Sequence, residues 1–195
     1  MPIQRLHILI FAFVATLVGV PSSPAQTIST LAGTGGQGYA GDGGSPTSAV
    51  LSLPAAVWGD TTGVLFIADT GNNAVRRLNA TRDTIFAYAG NGTGGFSGDG
   101  GAATAAKLSA PGGVFVDSTG VVYIADTGNN RIRRIDAGGN IATIAGKDSA
   151  GFSGDGGAAT AAKLRGPTAV FARGGFVYIA DTGNNRIRQI GRAHV

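Results

Sequence analysis

Apolar residues in this chain occur in short runs that are separated by clusters of Gly, Asn, Asp and Ser. Val121–Ala125 is apolar at every position, as expected of a strand that is buried on both faces. Asp117–Gly120, just before it, has the residues of a tight hairpin turn, because Gly, Asn and Asp readily adopt the backbone that such turns require. The pattern predicts a unit of four short antiparallel strands: Gly113–Asp117, Val121–Ala125, Arg131–Ile135 and Ile141–Ala145.

This unit occurs three times along the chain. The sequence Ile-Ala-Asp-Thr-Gly-Asn-Asn begins at Ile67, Ile124 and Ile179, which gives spacings of 57 and 55 residues. A four-stranded sheet that is buried on both faces and repeated radially is a β-propeller blade. A β-helix would need shorter rungs, and a leucine-rich array would show its own leucine spacing. We therefore predict an all-β propeller with three encoded blades.

A long glycine-rich segment separates successive units. In the second copy it runs from Gly90 to Pro111 and contains the alanine-rich stretch Ala102–Leu108. Alanine has the highest helix propensity, so this stretch predicts a helix of about two turns between blades. Asp99, or the glycines beside it, is expected to cap the start of that helix.

The N-terminal residues have the pattern of an export signal. Arg5 is followed by an apolar run from Ile8 to Val20, which is shorter than the ~20 residues that a membrane-spanning helix needs. Small residues at Ser23 and Ala25 predict cleavage after Ala25. Residues 1–25 are thus a predicted signal peptide, with an uncleaved anchor as the alternative, and the mature protein is expected to be secreted, extracellular or periplasmic.

The propeller repeats are predicted to occupy residues 26–189, divided into 27–83, 84–140 and 141–189. Thr27–Gly33 aligns with Thr84–Gly90, the fourth strand of a unit, so the chain enters the propeller on an outer strand. The segment 190–195 leaves the pattern and matches the translation of a common sequencing-adapter oligonucleotide. We expect this tail to be non-native, the chain to be a fragment, and further blades to follow in the full protein.

Composition excludes several kinds of site. The chain has no Cys and no Glu, and its two histidines, His7 and His194, lie at its two ends. The repeats therefore cannot hold a disulfide, a Cys or His zinc site, or a Ser-His-Asp or Cys-His catalytic centre. Without Arg5 and Arg192, 13 basic residues face 11 acidic ones, which is not the charge balance of a nucleic-acid-binding domain. No cofactor is expected.

Three stretches carry a family resemblance: Gly95–Gly101, Pro111–Asp117 and Val122–Arg133. They resemble NHL repeats, and the Gly-Asp-Gly-Gly insert is similar to that of the exported, teneurin-type branch. The resemblance implies a six-bladed ring of four-stranded antiparallel blades. Enzymes built on similar propellers use zinc-binding histidines or an acidic centre with Glu, which these repeats lack, so no catalytic residue is transferred.

The function that follows is a non-enzymatic scaffold that binds an extracellular protein or glycan, without nucleic acid and without a membrane span in this fragment. Two alternatives stay open. One is a partial propeller enzyme, lyase-like or hydrolase-like, with catalytic residues in the missing blades. The other is the sensor domain of a cell-surface receptor.

The repeats also supply candidate site residues. Weak calcium candidates, which are more simply explained as Asx-turns or helix caps, are Asp42, Asp99 and Asp155. Residues expected to form structural turns are Asp69, Asn73, Asp126, Asn130, Asp181 and Asn185. Arginines that would form a rim for an anionic partner, or else pair with Asp, are Arg76, Arg77, Arg131, Arg133, Arg134, Arg186 and Arg188. In a eukaryotic host, glycosylation is expected at Asn79 and Asn91.

Overall fold

The computed structural model describes residues 26–191. The predicted signal peptide (1–25), its cleavage site after Ala25, and residues 192–195 of the predicted tail, which include His194, lie outside the described residues. Within 26–191 there is no helix with the length and apolar character that a bilayer crossing requires.

The described chain folds into three antiparallel sheets, each a simple meander. We call them blades 1 to 3. Blade 1 contains β1 (Pro54–Gly59), β2 (Leu65–Asp69), β3 (Ala74–Leu78) and β4 (Ile85–Ala89). Blade 2 contains β5 (Gly113–Val116), β6 (Val122–Asp126), β7 (Arg131–Ile135) and β8 (Ile141–Gly146). Blade 3 contains β9 (Ala169–Arg173), β10 (Phe176–Asp181) and β11 (Arg186–Ile190). This confirms the predicted all-β propeller.

The blades pack face to face, with the first strand of each blade on the inside. β5 contacts both β1 and β9, so the first strands lie side by side. One apolar core joins blades 1 and 2 and includes Phe66, Val75 and Val114. A second core joins blades 2 and 3 and includes Ile132 and Val170. Both faces of blade 2 are therefore covered, as the uniformly apolar Val121–Ala125 stretch indicates.

The predicted helix at Ala102–Leu108 is wrong, because the structure has only a single 3-10 turn, Ala103–Ala105. The backbone of Ala106 is already extended. Hydrogen bonds explain the difference: the Ala103 N–H donates to Gly139, and its carbonyl accepts from the Gly90 N–H. Because these backbone groups bond to neighbouring loops, they are not available for the hydrogen bonds of a longer helix.

Asp99 does not cap this turn, whose first residues receive no side-chain hydrogen bond. Equivalent single turns occur at Pro46–Ser48 and Ala159–Ala161. The inter-blade segments are thus irregular loops that are held in place by glycines. Gly98 is one of the tightly packed glycines in the second copy, since its φ of +89° is left-handed and its α-carbon faces the Ala106 backbone.

Substitution at Gly98 tests this packing. A Cβ on Gly98 would lie 2.7 Å from the Ala106 Cα, whereas a Cβ on Gly100, with a similar φ of +84°, would meet nothing within 4 Å. Both Gly→Ala changes carry the cost of a left-handed alanine, about 1–2 kcal/mol. We expect Gly98→Ala to lower the free energy of unfolding by clearly more than Gly100→Ala, as measured by urea denaturation. Equal losses would contradict the close packing of this loop.

Candidate functional site

A buried ionic network lies between the second and third strands of blade 1. Asp69, at the end of β2, is completely buried. Its Oδ1 accepts the Ser52 N–H at 2.7 Å, and its Oδ2 accepts from Asn72 Nδ2 at 2.8 Å and from Arg76 Nη1 at 3.3 Å. Arg76 Nη2 also donates to Asp42 Oδ1 at 2.7 Å. The guanidinium of Arg76 thus lies between two carboxylates. Its hydrogen bonds to them are strong because both the donor and the acceptor are charged.

The same arrangement recurs in the other blades. Arg133 donates to Asp126 Oδ2 at 3.2 Å and to Asp99 Oδ1 at 2.7 Å. In blade 3, Arg188 donates to Asp181 Oδ2 at 3.4 Å and to Asp155 Oδ1 at 2.6 Å. We call each of these sets an Asp–Arg–Asp triad: Asp69–Arg76–Asp42, Asp126–Arg133–Asp99 and Asp181–Arg188–Asp155.

The triads change the interpretation of the repeated arginines. The side chains of Arg76 and Arg133 are 0% exposed, so they do not belong to a surface rim. Arg131 is also buried, with its guanidinium 3.6 Å from the centroid of the Phe96 ring and paired to Asp148. The predicted rim is therefore wrong for Arg76, Arg131 and Arg133, whereas Arg77, Arg134 and Arg186 are exposed.

The three calcium candidates are the outer carboxylates of these triads. Asp42, Asp99 and Asp155 each accept a hydrogen bond from a guanidinium, so a positive group already neutralises each of them. Within residues 26–191, no three acidic or histidine side chains are grouped so that they could hold a metal ion. Their place in the structure is that of an ion-pair partner.

The predicted turn residues lie at the junction between blades. Asn73, Asn130 and Asn185 each follow a 3-10 turn and adopt a left-handed backbone with φ of 52°, 54° and 53°. Asn tolerates this conformation better than most residues. The Asn130 side-chain oxygen accepts the Gly166 N–H at 2.9 Å, and the Thr127 hydroxyl donates to the Pro167 carbonyl at 2.7 Å. This turn of blade 2 thus holds the segment that leads into blade 3.

Asp126, the buried carboxyl of the second triad, starts the same turn. Burial is the largest influence on it and raises the pKa of Asp126, although Asn129, the Ser109 N–H and Arg133 oppose this shift. The donors around the carboxyl therefore compensate only part of the cost of taking it out of water. Loss of any one of them is expected to be costly.

The two glycosylation candidates differ in their surroundings. Asn79 is half-buried in the β3–β4 turn, where its Nδ2 donates to Asp83 Oδ1 at 2.6 Å. Asn91 is exposed, and its Oδ1 accepts the Thr93 N–H at 2.9 Å. Glycosylation of either residue stays a prediction.

A cleft at the ends of the inner strands was missed by the sequence interpretation. It has a volume of about 620 Å³ and is lined by residues from all three blades. Trp58, Phe115 and Phe171 occupy the same place in successive repeats, with ring centroids 4.5 Å and 4.8 Å apart. The sequence feature that could have indicated this cleft is an aromatic residue at the same position of each repeat. We call this cavity the inner cleft.

The turn that follows each inner strand provides the polar part of the inner cleft. Asp60 and Asp117 stand at equivalent places in blades 1 and 2, and the exposed Arg173 takes this place in blade 3. Asp117 Oδ1 accepts hydrogen bonds from the backbone and hydroxyl of Thr119, and Oδ2 accepts from Tyr123. Partial burial opposes ionisation, but these hydrogen bonds outweigh it, and the pKa of Asp117 is lowered.

Asp60 has the same kind of surroundings. Slight burial works against its charge, but the hydroxyl and N–H of Thr62 and the Val64 N–H together lower the pKa of Asp60. Both carboxylates are therefore ionised at neutral pH. The inner cleft thus combines five aromatic residues with two negative groups and one positive group.

Comparison with known proteins agrees with this repeat geometry. Residues 92–151 match the family model described as "Teneurin NHL domain". This part of the chain is thus similar to NHL repeats. Human Teneurin-1 is 41% identical over 86 residues, which is 38% of this chain and 3% of Teneurin-1. The chain is also 31% identical over 87 residues to the Arabidopsis thaliana protein SUPPRESSOR OF QUENCHING 1, chloroplastic, which is 45% of this chain and 8% of that protein.

Solved structures share the fold of this chain. A Bacteroides thetaiotaomicron protein of unknown function superposes with a TM-score of 0.58 at 24% identity, over 65% of this chain and 32% of the other. An auxiliary nutrient binding protein from the same organism gives a TM-score of 0.57 at 19% identity, over 71% of this chain and 37% of the other. The chain thus spans about a third of each solved structure and under a tenth of the two sequence relatives.

Removal of the central arginine tests the triad. Arg133→Leu leaves the buried Asp126 carboxylate without its positive partner, so we expect the free energy of unfolding to fall by about 3–5 kcal/mol. Arg134→Leu is the matched control, because the neighbouring Arg134 is exposed and is expected to change stability by less than about 0.5 kcal/mol. Urea denaturation of both variants measures the difference, and similar losses for the two would contradict the role given to Arg133.

Proposed function

We propose that the chain is an exported, non-enzymatic NHL scaffold whose inner cleft binds an extracellular glycan. The predicted signal peptide supports export, and the cleft supports binding. The fold is compatible with this role, since one of the solved propellers that share it is an auxiliary nutrient binding protein. An extracellular protein partner is the alternative outcome of the test below.

The observation that carries this proposal is the composition of the inner cleft. Ligand sites typically combine apolar and aromatic walls with a few placed polar groups. Here Trp58 and Phe171 offer ring surface for the apolar face of a sugar ring. Around them, Asp60 and Asp117 can accept hydrogen bonds from sugar hydroxyls, and Arg173 can donate to sugar oxygens. This mixture suits a polyhydroxylated ligand better than a purely apolar one.

The cleft offers little for acid–base catalysis near neutral pH. Both of its carboxyls have lowered pKa values and are already engaged by the donors of their own turns. An efficient general base would need a pKa near the working pH. Arg76, Arg131 and Arg133 are buried and cannot contribute to a basic surface, which supports a partner other than nucleic acid.

Glycan-array screening of the chain, followed by titration calorimetry on the best oligosaccharide, tests the proposal. Arg173→Ala removes one charged donor from the cleft and is expected to weaken binding about tenfold, since a hydrogen bond to a charged group contributes about 1.5–3 kcal/mol. Arg82→Ala is the matched control, because Arg82 is another exposed arginine, in the β3–β4 turn, and does not line the cleft. Its affinity should equal that of the unmodified chain.

Absence of glycan binding would contradict the proposal. Equal affinities of Arg173→Ala and the unmodified chain would contradict the inner cleft as the site. Binding of a purified protein ligand, and not of a glycan, would support the alternative of an extracellular protein partner.

A further inference from the structure

One asparagine of this chain is followed directly by glycine. Of the nine asparagines, Asn91 precedes Gly92, whereas the others precede Asn, Ala, Arg or Ile. Glycine has no Cβ, so its backbone nitrogen can approach the amide carbon of the preceding side chain with little steric hindrance. Asn91 is therefore the asparagine whose side chain the next peptide nitrogen can attack most easily.

The turn around Asn91 prepares its amide for such an attack. Asn91 is exposed, in the loop between β4 and β5, and its Oδ1 accepts the Thr93 N–H at 2.9 Å. This bond closes an Asx-turn, which folds the side chain towards the peptide that carries the Gly92 nitrogen. The Thr93 N–H also polarises the amide carbonyl and would stabilise the negative charge that develops on Oδ1 during the attack.

The attacking nitrogen and the leaving group are both available. Within residues 26–191, the Gly92 N–H donates to no backbone or side-chain acceptor, and Asn91 Nδ2 makes no hydrogen bond. Gly92 has φ of +83°, a conformation that glycine adopts readily. The bond that must form and the bond that must break are therefore both free of competing contacts in the described chain.

Asn140 provides the comparison within the same chain. It is also exposed, and its side chain makes no hydrogen bond to the described residues. The residue that follows it is the β-branched Ile141, whose N–H donates to the Gly101 carbonyl at 2.9 Å. The nitrogen next to Asn140 is thus sterically hindered and already bonded, which separates its chemistry from that of Asn91.

We propose that Asn91 is a deamidation site of the folded protein. The Gly92 nitrogen bonds to Asn91 Cγ, the Cγ–Nδ2 bond breaks, and ammonia leaves with the proton that the Gly92 nitrogen loses. Water then opens the resulting succinimide. Attack of water at Cγ gives aspartate, whereas attack at the main-chain carbonyl carbon gives isoaspartate. No other reactant is needed, and the reaction is independent of the glycan proposal.

The fold favours aspartate over isoaspartate as the product. Asp60 and Asp117 each accept the N–H two residues further on at 2.8 Å, so a carboxylate fits the kind of turn that Asn91 forms. The Asn91 N–H donates to the Ala106 carbonyl at 2.9 Å. Isoaspartate would lengthen the backbone directly after this bond, whereas aspartate leaves the backbone unchanged.

Deamidation would also decide the fate of the glycosylation sequence at Asn91. Attachment of an N-linked glycan needs an asparagine at this position. A chain that has lost the Asn91 amide can no longer be glycosylated there, and a glycan on Nδ2 would block the loss of ammonia. The two modifications thus exclude each other.

Peptide mapping by mass spectrometry tests the proposal. The purified chain is incubated at mildly alkaline pH, and conversion of each asparagine to the acid is followed with time. Asn91 is expected to convert at least about tenfold faster than Asn140. Gly92→Ala is expected to slow the conversion of Asn91 about tenfold, because a Cβ then hinders the attacking nitrogen. Thr93→Ala is the matched control, since it keeps Gly92 and the backbone N–H of the turn, and it should leave the rate unchanged.

The same chain in guanidinium chloride measures the contribution of the fold. We expect Asn91 to convert at least as fast in the folded chain as in the denatured chain. We also expect the folded chain to give the higher ratio of aspartate to isoaspartate, because the backbone bond to Ala106 opposes the longer product.

Equal conversion of Asn91 and Asn140, or no conversion of Asn91, would overturn the proposal, and this comparison needs only the unmodified chain. An unchanged rate in Gly92→Ala would overturn the role of the glycine. A folded rate well below the denatured rate would overturn the role of the turn.

Discussion

A buried guanidinium between two carboxylates is the interaction on which the geometry of each blade depends. Arg133 lies on β7 and joins Asp126 at the end of β6 to Asp99 in the loop that precedes the blade. Three separate parts of the repeat are thereby held at one point. Ion pairs that are buried to this degree stabilise a fold only when the charges are well paired and hydrogen-bonded. Backbone carbonyls and Asn129 supply most of these hydrogen bonds, whereas the buried Arg133 Nε has no partner among the described residues.

The consequences extend beyond the triad itself. Asp99 belongs to the Gly-Asp-Gly-Gly loop, and the glycines that follow it clamp the first residue of β8. The turn after Asp126 holds the backbone that enters blade 3 through Thr127 and Asn130. One ionic centre thus positions both the outer strand of its own blade and the entry to the next blade.

The inner cleft lies away from this centre, at the ends of the first strands, so its residues can vary without disturbing the triads. Asp60, Asp117 and Arg173 show such variation at one place in the repeat.

The sequence predicted the fold well because the repeat is long and regular. The strand predicted at Ile141–Ala145 is observed as Ile141–Gly146, and the number of blades agrees. The helix at Ala102–Leu108 was wrong because alanine content describes only local preference, whereas the backbone of this segment bonds to Gly90 and Gly139. The placement of Arg76 and Arg133 in a surface rim was wrong for a related reason. The burial of Arg133 depends on Asp99, which lies 34 residues earlier in the chain, and local sequence does not show that the two meet. The aromatic residues of the inner cleft come together only when the three blades pack, and the sequence alone does not show that packing.

A double-mutant cycle between Asp126 and Arg133 tests the central claim most directly. Asp126→Asn, Arg133→Leu and the double variant would be compared with the unmodified chain by urea denaturation. The account predicts a coupling energy of about 2–3 kcal/mol, at the upper end of values for residues in one ionic network. A second cycle between Asp126 and the exposed Arg134 should give a coupling energy near zero. A coupling energy for Asp126 and Arg133 that is equally close to zero would contradict the account.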